Sequence, residues 1–348
     1  MEKPREAMLC EKKGKGMVQC RLCARYCLIL DGKKGFCAVR ENRAGKLFSL
    51  SWGKSTGFAL DPIEKKPFYH FHPGTYCLSF GTPGCNFRCL GCQNWDLSQA
   101  PRKDGAKAFG FEATTPKQIA ELALKTDGNA GIAYTYSEPT IFFEYAYDTI
   151  KETKKLNPSL YHVFVSNGYF SKECFDLVRK ERLLNAIRMD LKGFNEKFYE
   201  KFCSARLEPV LESIKRVAKE KSWLHLELIC LIVPGWNDSQ KEIREMCEWI
   251  AAQGKEIPVH FIRFFPHYEL QDVPSTPIET LLKAREIALG EGLQYVYVGN
   301  TALADVENTF CPNCKSVVVE RSMMQVTGMN LSKEGNCGEC GKKINVVL

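Results

Sequence analysis

The cysteine residues of this sequence are its clearest candidates for chemistry. Seventeen of the 348 residues are cysteine, and most of them fall into three closely spaced sets. The sets are Cys20, Cys23, Cys27 and Cys37; Cys85, Cys89 and Cys92; and Cys311, Cys314, Cys337 and Cys340. Closely spaced thiolates are ligands of zinc ions and of iron–sulfur clusters. The N-terminus, MEKPREAMLCEKKGKG, lacks the apolar stretch of a secretory signal. We therefore expect metal centres rather than disulfide bonds.

The middle set lies in the loop Gly81–Cys92, directly after a predicted strand, with the spacing C-x3-C-x2-C. A four-iron cluster usually takes one thiolate per iron, so three thiolates leave one iron open to a substrate or cofactor. The glycines of the loop allow the backbone to wrap closely around such a cluster. The alternative is a zinc knuckle in which Cys77 supplies the fourth ligand.

The two outer sets have the spacing of closed metal sites. Cys311, Cys314, Cys337 and Cys340 form two C-x2-C pairs separated by 22 residues, which is typical of a zinc ribbon. Such a ribbon serves either as a staple for a segment without its own core or as a recognition surface, and the staple is favoured. The N-terminal set allows zinc or a second iron–sulfur cluster, and zinc is favoured because a short polar segment needs a metal to fold.

Short apolar runs alternate with amphipathic stretches between about residues 75 and 300. The predicted strands, rich in β-branched or aromatic residues, are Tyr76–Phe80, Gly131–Tyr134, His162–Val165, Ala186–Met189, His225–Ile232, Val259–Phe264 and Tyr295–Val298. The predicted helices are one that begins at Thr115 with a capping box to Gln118, and those near Glu144–Leu156, Cys174–Lys180, Val210–Glu220 and Glu242–Ala252. Repeats of this kind form a parallel α/β sheet.

An α/β partial TIM barrel of about six βα units is the expected fold, with small cysteine-metal appendages at each end. The first strand is not followed by Gly-x-Gly-x-x-Gly, which disfavours an open dinucleotide-binding sheet. The expected domains are residues 1–74, 75–304 and 305–348. In a barrel of this type, the reactive residues follow the C-terminal ends of the strands.

The length and overall composition exclude a membrane protein, a secreted disulfide scaffold and a disordered protein. Hydrophobic residues make up 45% and charged residues 26% of the chain, as in ordinary globular proteins, and no apolar run is long enough for a membrane helix. We therefore expect a cytoplasmic protein. The net charge of +7 is concentrated in residues 1–75, which hold 15 Lys/Arg and 7 Asp/Glu. Bound metal–thiolate centres would reduce this positive charge, so nucleic acid is a possible but not a favoured partner.

The C-x3-C-x2-C loop after the first strand resembles that of the radical S-adenosylmethionine (SAM) enzymes. The resemblance implies a 4Fe-4S cluster on Cys85, Cys89 and Cys92, with SAM bound to the open iron and cleaved by one electron to methionine and a 5′-deoxyadenosyl radical. The residues that follow successive strands resemble the SAM-binding segments of this superfamily. They are Glu138, Ser166, Asn167, Asp190, Lys192 and His267.

Each of these residues has an implied role. Glu138, in the place of the family's Gly-Gly-Glu-Pro segment although its two glycines are replaced here, would accept from the SAM amine. Ser166 and Asn167 would lie at the ribose. Asp190 would bond the ribose or the amine, and Lys192 the SAM carboxylate. The Asp190-Leu191-Lys192 segment, Val233–Asp238 and Phe265–Leu270 resemble pyruvate formate-lyase activases, and His267 would be a further SAM contact.

Motifs at both ends of the chain resemble, more specifically, the radical SAM member of the AmmeMemoRadiSam system. This resemblance rests on the N-terminal cysteine motif with Gly35-Phe36-Cys37, and on Tyr295–Asn300 followed by Glu307–Cys314. The implied partners are a Memo-like or AMMECR-type protein, or a glycyl radical enzyme as in the activases. A flavodoxin or ferredoxin would donate the electron.

Three functional hypotheses follow. The first is radical modification of a protein partner, as in the activases, and the second is radical modification of a small molecule or RNA. The third is a non-enzymatic iron–sulfur or zinc adaptor, which has no use for an open iron or for polar residues after successive strands. The first hypothesis is preferred.

Overall fold

The computed structural model describes residues 5–110 and 112–348, which divide into two compact units. The first unit contains residues up to Asp61 and Cys77–Asn185, and the second contains Pro62–Tyr76 and Ala186–Leu348. This partition differs from the expected division at residues 74 and 304, which stays a prediction. No helix among the described residues has the length and apolarity required to span a membrane.

The first unit begins with two small antiparallel sheets and continues into the barrel. Its strands are β1 (Arg5–Glu6), β2 (Cys10–Lys12), β3 (Val18–Cys20), β4 (Leu28–Ile29), β5 (Arg40–Arg43), β6 (Lys46–Ser49), β7 (Thr56–Pro62), β8 (Tyr76–Gly81), β9 (Asn129–Tyr134) and β10 (Tyr161–Ser166). The small sheets have the orders β1-β6-β5 and β2-β3-β4, and the barrel strands have the order β10-β9-β8-β7. β9 and β10 are parallel. The helices are α1 (Trp95–Ser98), α2 (Ala100–Lys103), α3 (Pro116–Lys125), α4 (Phe143–Leu156) and α5 (Lys172–Glu181).

The second unit repeats the strand–helix pattern and ends in a small sheet. Its strands are β11 (Ala186–Asp190), β12 (His225–Ile232), β13 (Val259–Arg263), β14 (Val296–Gly299), β15 (Thr309–Phe310), β16 (Val317–Ser322) and β17 (Gln325–Met329). β11 to β14 are successive parallel neighbours, whereas β15 to β17 are antiparallel. The helices are α6 (Glu196–Cys203), α7 (Glu208–Ala218), α8 (Gln240–Gln253) and α9 (Ile278–Gly290). The prediction of an α/β partial barrel with small cysteine-rich ends is confirmed.

A local sequence signal sets the start of helix α3. At the start of α3, Thr115 Oγ1 accepts a hydrogen bond from the Gln118 backbone N–H at 3.2 Å, and Gln118 Oε1 accepts one from the Thr115 N–H at 2.7 Å. This is the predicted capping box. β7 was missed because its segment, TGFALDP, is mostly exposed and contains a glycine and a proline, so it lacks the apolar alternation of a core strand.

A buried carboxylate organises the interior of the second unit. Glu227 on β12 accepts hydrogen bonds from the backbone N–H groups of Tyr69 and His70, at 3.0 and 2.8 Å. It also contacts His225 and His260, at 3.0 and 2.7 Å. Burial alone would raise the pKa of Glu227, but hydrogen bonds from the two histidines hold it well below its ordinary value. The carboxylate thereby fixes segment 62–76 against β12 and β13.

Candidate functional site

The cysteine loop leaves β8 through two glycines that no other residue can replace. A Cβ on Gly81 would lie 2.6 Å from the carbonyl oxygen of Thr135, which follows β9. Gly84 has a φ of +106°, and a Cβ there would lie 2.5 Å from Val39 Cγ1. The loop is therefore packed directly on the β9 turn and on the N-terminal region, and it keeps its path only with glycine at both positions.

The first cysteine of the loop has two nitrogen donors close to its sulfur. The Phe87 backbone N–H donates to Cys85 Sγ at 3.3 Å, and Asn167 Nδ2 lies 3.9 Å from the same sulfur. Burial, and then the nearby Glu138 carboxylate, raise the pKa of the Cys85 thiol, so a bound metal must displace its proton. Hydrogen bonds to ligand sulfurs tune the potential of iron–sulfur clusters. Three soft thiolates with such donors fit an iron–sulfur cluster.

The zinc alternative for this loop required Cys77 as a fourth ligand. Cys77 is buried on β8, and its Sγ lies 3.8 Å from Ser79 Oγ. Among the described residues, the four C-terminal cysteines form a group whose ligand atoms, one from each residue, all lie within 4.8 Å of one another, and neither Cys77 nor the loop cysteines belong to such a group. Cys77 and the loop cysteines therefore do not form a compact zinc site.

Glu138 is a buried hub that joins the ends of β9 and β10. Its Oε1 accepts hydrogen bonds from Thr140 N, Thr140 Oγ1 and Ser166 Oγ, at 2.9, 2.6 and 2.8 Å. Its Oε2 accepts one from Asn167 N at 2.8 Å. Burial raises the pKa of Glu138, and these hydrogen bonds oppose the shift. Each carboxylate oxygen has about two acceptor positions, and Oε2 accepts only one of the four hydrogen bonds described here, so it has room for a further donor such as an amine.

Ser166 contacts Glu138, and Asn167 contacts both Glu138 and the cysteine loop. Ser166 Oγ accepts from Gly168 N at 3.0 Å, while its hydroxyl donates to Glu138. Asn167 Nδ2 donates to Asn86 Oδ1 at 2.7 Å. The structure thus brings together Glu138, Ser166, Asn167 and Cys85, which follow three successive strands of the first unit. Asn86 was not singled out from the sequence, although its position next to Cys85 was an available signal.

Asp190 and Lys192 form an ion pair at the end of β11. Lys192 Nζ lies 2.5 Å from Asp190 Oδ2, and Arg188 Nη1 lies 2.7 Å from Asp190 Oδ1. Burial alone would raise the pKa of Asp190, but the charges of Arg188 and Lys192 outweigh it and lower the pKa. Asp190 is therefore ionised at neutral pH. Arg188 is a charged contributor that sequence reasoning missed, because it lies within the strand.

A buried asparagine holds the backbone of Lys192. Asn237 Nδ2 donates to the Lys192 carbonyl at 2.6 Å and to the Leu231 carbonyl at 2.8 Å, and its Oδ1 accepts from Val233 N at 2.7 Å. Two of the segments that resemble the activases are therefore fixed to each other through one side chain.

His267 lies half-buried in a turn after β13, where the Leu270 N–H donates to the His267 carbonyl at 3.0 Å. Its contact with SAM stays a prediction.

The four C-terminal cysteines converge as a closed metal site. Their Sγ atoms all lie within 4.8 Å of one another, with Cys311 and Cys337 buried and Cys314 and Cys340 exposed. Hydrogen bonds, first from Ser316 and then from the Cys340 backbone, lower the pKa of Cys337 to about 6, which favours the thiolate that a metal binds. Cys311 and Cys337 belong to a buried cluster with Tyr69, Tyr295, Tyr297, Val318 and Ile344. The site thus anchors the small sheet to β14.

The four N-terminal cysteines line one small cavity. Cys20 and Cys37 are buried, and Cys23 and Cys27 are half-buried. Burial raises the pKa of the Cys37 thiol to about 11. An isolated cysteine is most often a small buried apolar residue, which is the interpretation that the sequence favours for the six cysteines outside the three sets. It is confirmed for Cys77, Cys174, Cys203, Cys230 and Cys247, which are buried, and it is wrong for Cys10, which is exposed at the surface of the β2–β3 pair.

The chain is similar in sequence and in fold to several known proteins. A family model described as the Radical SAM superfamily matches residues 80–250. The uncharacterized protein MJ0808 of Methanocaldococcus jannaschii is 43% identical over 346 residues, covering 99% of this chain and 100% of that protein. A domain of a pyruvate-formate lyase-activating enzyme from Bacteroides vulgatus matches 49% of this chain and 100% of its own, with 19% identity and a TM-score of 0.43. A radical SAM methyltransferase from Sphaerobacter thermophilus matches 66% of this chain and 67% of its own, with 13% identity and a TM-score of 0.49.

The matched segment contains Cys85, Cys89 and Cys92 together with the residues that follow β9, β10 and β11. Radical SAM chemistry implies a 4Fe-4S cluster and SAM, and the donors around Cys85 fit that cluster. The chain belongs to the radical SAM superfamily and is a radical SAM enzyme.

Proposed function

We propose that this enzyme binds SAM beside the Cys85 loop and uses the resulting radical on a protein partner. The observation that carries the SAM site is the contact network of Cys85, Asn167 and Glu138, which joins the C-terminal ends of three successive strands. Active sites of barrel enzymes lie at such strand ends. A bound 4Fe-4S cluster would supply the electron that cleaves SAM, and the protein residues bind and orient the substrate.

The proposed SAM contacts are assigned from the charge and the hydrogen-bonding capacity of each residue. The remaining acceptor position on Glu138 Oε2 suits the cationic amine of SAM. Lys192 carries three N–H donors, so its ammonium can bind the SAM carboxylate while it stays next to Asp190. Ser166, Asn167 and His267 complete the proposed contacts, with Ser166 and Asn167 directed to the ribose.

A protein substrate is favoured because of the activase-like segments of the second unit. Asn237 holds Lys192 through its carbonyl, so the segments at Asp190–Lys192 and Val233–Asp238 act as one element. In the activases that these segments resemble, the radical acts on a glycine of a partner enzyme. For this chain we propose a Memo-like or AMMECR-type protein, or a glycyl radical enzyme, as the partner.

The remaining assignments are part of the same proposal. The C-terminal cysteines bind zinc, since four thiolates that converge on one point match a tetrahedral structural site. A flavodoxin or ferredoxin supplies the electron, and the protein acts in the cytoplasm. Membership of the AmmeMemoRadiSam system rests on the two ends of the chain.

The test is an anaerobic assay of reconstituted enzyme with SAM and a reductant. We expect 5′-deoxyadenosine from the wild type and none from Cys89→Ala, with Cys174→Ala, a buried cysteine outside the three sets, as the control. Each deuterated candidate partner is then added, and mass spectrometry follows deuterium in the 5′-deoxyadenosine. Deuterium transfer from one protein supports the proposal.

Two results would contradict the proposal. Wild-type enzyme with a full cluster that forms no 5′-deoxyadenosine would favour the adaptor hypothesis. Deuterium transfer from RNA or a small molecule, but from none of the proteins, would contradict the proposal that the substrate is a protein.

A further inference from the structure

The cavity at the N-terminal cysteines is built from four thiols that come from different parts of the first 40 residues. Cys20 ends β3, Cys23 and Cys27 flank the turn before β4, and Cys37 precedes β5. All four face one small cavity whose other lining residues include Arg40, Asn86 and Ile141. Four thiols around one cavity are candidate ligands of a common metal centre, and the distances between their sulfurs bear on which centre they can hold.

The spacing of the thiols separates this site from the C-terminal one. A zinc ion holds its sulfurs at about 2.3 Å, so four ligands of one zinc ion lie close to each other. The C-terminal cysteines meet this requirement, with all Sγ atoms within 4.8 Å. In the described residues, no three of the N-terminal cysteines do so, and neither do Cys85, Cys89 and Cys92. The N-terminal set is therefore less compact than a single zinc ion requires, and so is the loop set, where the proposed cluster would take one thiolate per iron.

Two buried donors at the cavity lack hydrogen-bond partners among the residues that the structure describes. Arg40 and Asn86 are both almost fully buried, and within residues 5–110 and 112–348 no acceptor lies within hydrogen-bonding distance of Arg40 Nε or Asn86 Nδ2. The other nitrogens of Arg40 are occupied, since Nη1 contacts Glu144 at 2.9 Å and Nη2 donates to the Met8 carbonyl at 2.8 Å. A buried donor without a partner is costly, so these N–H groups indicate an acceptor inside the cavity. The sulfurs of an iron–sulfur cluster are such acceptors.

The cavity also adjoins the radical SAM loop. Arg102 Nη2 donates to the carbonyls of both Phe36 and Cys85, at 2.7 and 2.6 Å. Phe36 directly precedes the ligand Cys37. Asn86, which lines the cavity, directly follows Cys85 and is hydrogen-bonded by Asn167. The backbone of one site is thus joined to the backbone of the other by a single guanidinium.

We propose that Cys20, Cys23, Cys27 and Cys37 bind a second iron–sulfur cluster, in place of the zinc that the sequence favoured, and that this cluster passes electrons to the loop cluster. One electron from a low-potential flavodoxin- or ferredoxin-type donor reduces the N-terminal cluster and then moves to the loop cluster. The donor is oxidised by one electron and no bond is formed or broken. The electron transfer rests on the proposed function, whereas the identity of the cluster does not.

The identity of the cluster is tested in the full-length variant Cys85→Ala/Cys89→Ala/Cys92→Ala, which lacks the loop ligands. After anaerobic reconstitution we expect about four iron and one zinc per chain, and an electron paramagnetic resonance signal upon reduction. A variant that holds no iron and about two zinc ions would overturn the proposal. This measurement does not depend on SAM cleavage, so the failure of either proposal is distinguishable.

The ligands and the electron transfer are tested with Cys23→Ser/Cys27→Ser in the wild-type loop background. Iron should fall from about eight to about four per chain. With flavodoxin as donor, 5′-deoxyadenosine formation should fall by about tenfold or more, whereas a small reductant should restore it to within about twofold. Unchanged flavodoxin-driven activity in the variant would exclude electron transfer through this site. Cys10 is an exposed cysteine of the same region, so Cys10→Ser should retain all the iron. Loss of iron from the Cys10→Ser variant would contradict the ligand assignment.

Discussion

The side-chain amide of Asn167 donates a hydrogen bond to Asn86 Oδ1 at 2.7 Å, so the residue after β10 fixes the residue after Cys85, the first of the proposed cluster ligands. The same amide lies 3.9 Å from Cys85 Sγ, and the Asn167 backbone N–H donates to Glu138. A residue expected at the SAM ribose is therefore also attached to the cysteine loop. Its substitution should alter the cluster as well as SAM binding.

Asn167→Ala should shift the reduction potential of the loop cluster to a more negative value, because it removes an N–H donor near a ligand sulfur. A redox titration followed by electron paramagnetic resonance measures the shift, and iron content should stay at the wild-type level. Asn157→Ala, at the C-terminal end of α4, is the control and should leave the potential unchanged. Equal potentials in wild type and Asn167→Ala would refute a role at the cluster.

Lys192→Met should weaken SAM binding by about tenfold or more, since it removes the cation proposed to bind the SAM carboxylate. Equilibrium binding of SAM to the reconstituted enzyme measures the effect. The variant should keep its full cluster, because Lys192 is not one of the proposed cluster ligands. Lys283→Met, an exposed lysine of α9, should bind SAM as the wild type does. The assignment fails if both variants bind SAM equally well.

Ser316→Ala should lower the zinc affinity of the C-terminal site by about 10–100-fold. Ser316 Oγ lies 3.1 Å from Cys314 Sγ and 3.5 Å from Cys337 Sγ, so its hydroxyl supports two ligands at once. Competition with a chelator measures the affinity. Ser332→Ala, whose hydroxyl instead contacts Glu334, is the matched control. A wild-type affinity in Ser316→Ala would exclude this supporting role.

Arg321→Ala should lower the free energy of unfolding by about 3–5 kcal/mol, because it leaves Glu64 buried without a countercharge. Both side chains are fully buried, with Arg321 Nε 3.7 Å from Glu64 Oε1 and Nη2 donating to the Tyr69 carbonyl at 2.5 Å. Chemical denaturation of the zinc-loaded protein measures the change. Arg206→Ala, in an exposed ion pair with Glu196, should cost about 0–1 kcal/mol. Similar losses in the two variants would contradict the argument.

The stability of the protein should fall as the pH falls from about 6.5 toward about 3, partly because of His162. Burial, and then the charge of Lys154, lower the pKa of His162 to about 3, so in this range the unfolded chain binds a proton that the folded chain does not. His162→Phe should therefore lose less stability than the wild type between pH 7 and pH 5.5.

Chemical denaturation at the two pH values provides the comparison for His162. Tyr134→Phe removes the hydroxyl that lies 3.2 Å from His162 Nδ1 but leaves the histidine in place, so its loss on acidification should resemble that of the wild type. An unchanged pH dependence in His162→Phe would show that this histidine does not contribute.

The sequence alone determined the features that depend on local spacing. The cysteine intervals identify three ligand sets, the brief β-branched runs locate seven of the barrel strands to within about two residues, and Thr115 with Gln118 fixes the start of α3. These features depend on residues close in the chain, where backbone geometry leaves few alternatives.

Only the tertiary structure decided which distant groups share an environment. Glu138 is surrounded by donors from two strand ends, Arg40 reaches Glu144 across 104 residues of sequence, and Arg102 joins the two cysteine sites. No local pattern encodes these contacts, because they depend on how strands and loops pack. The difference between the compact C-terminal group of thiols and the N-terminal thiols around a cavity has the same origin, since equal Cys-x2-Cys spacings occur in both outer sets while the distances between their pairs are set by the fold.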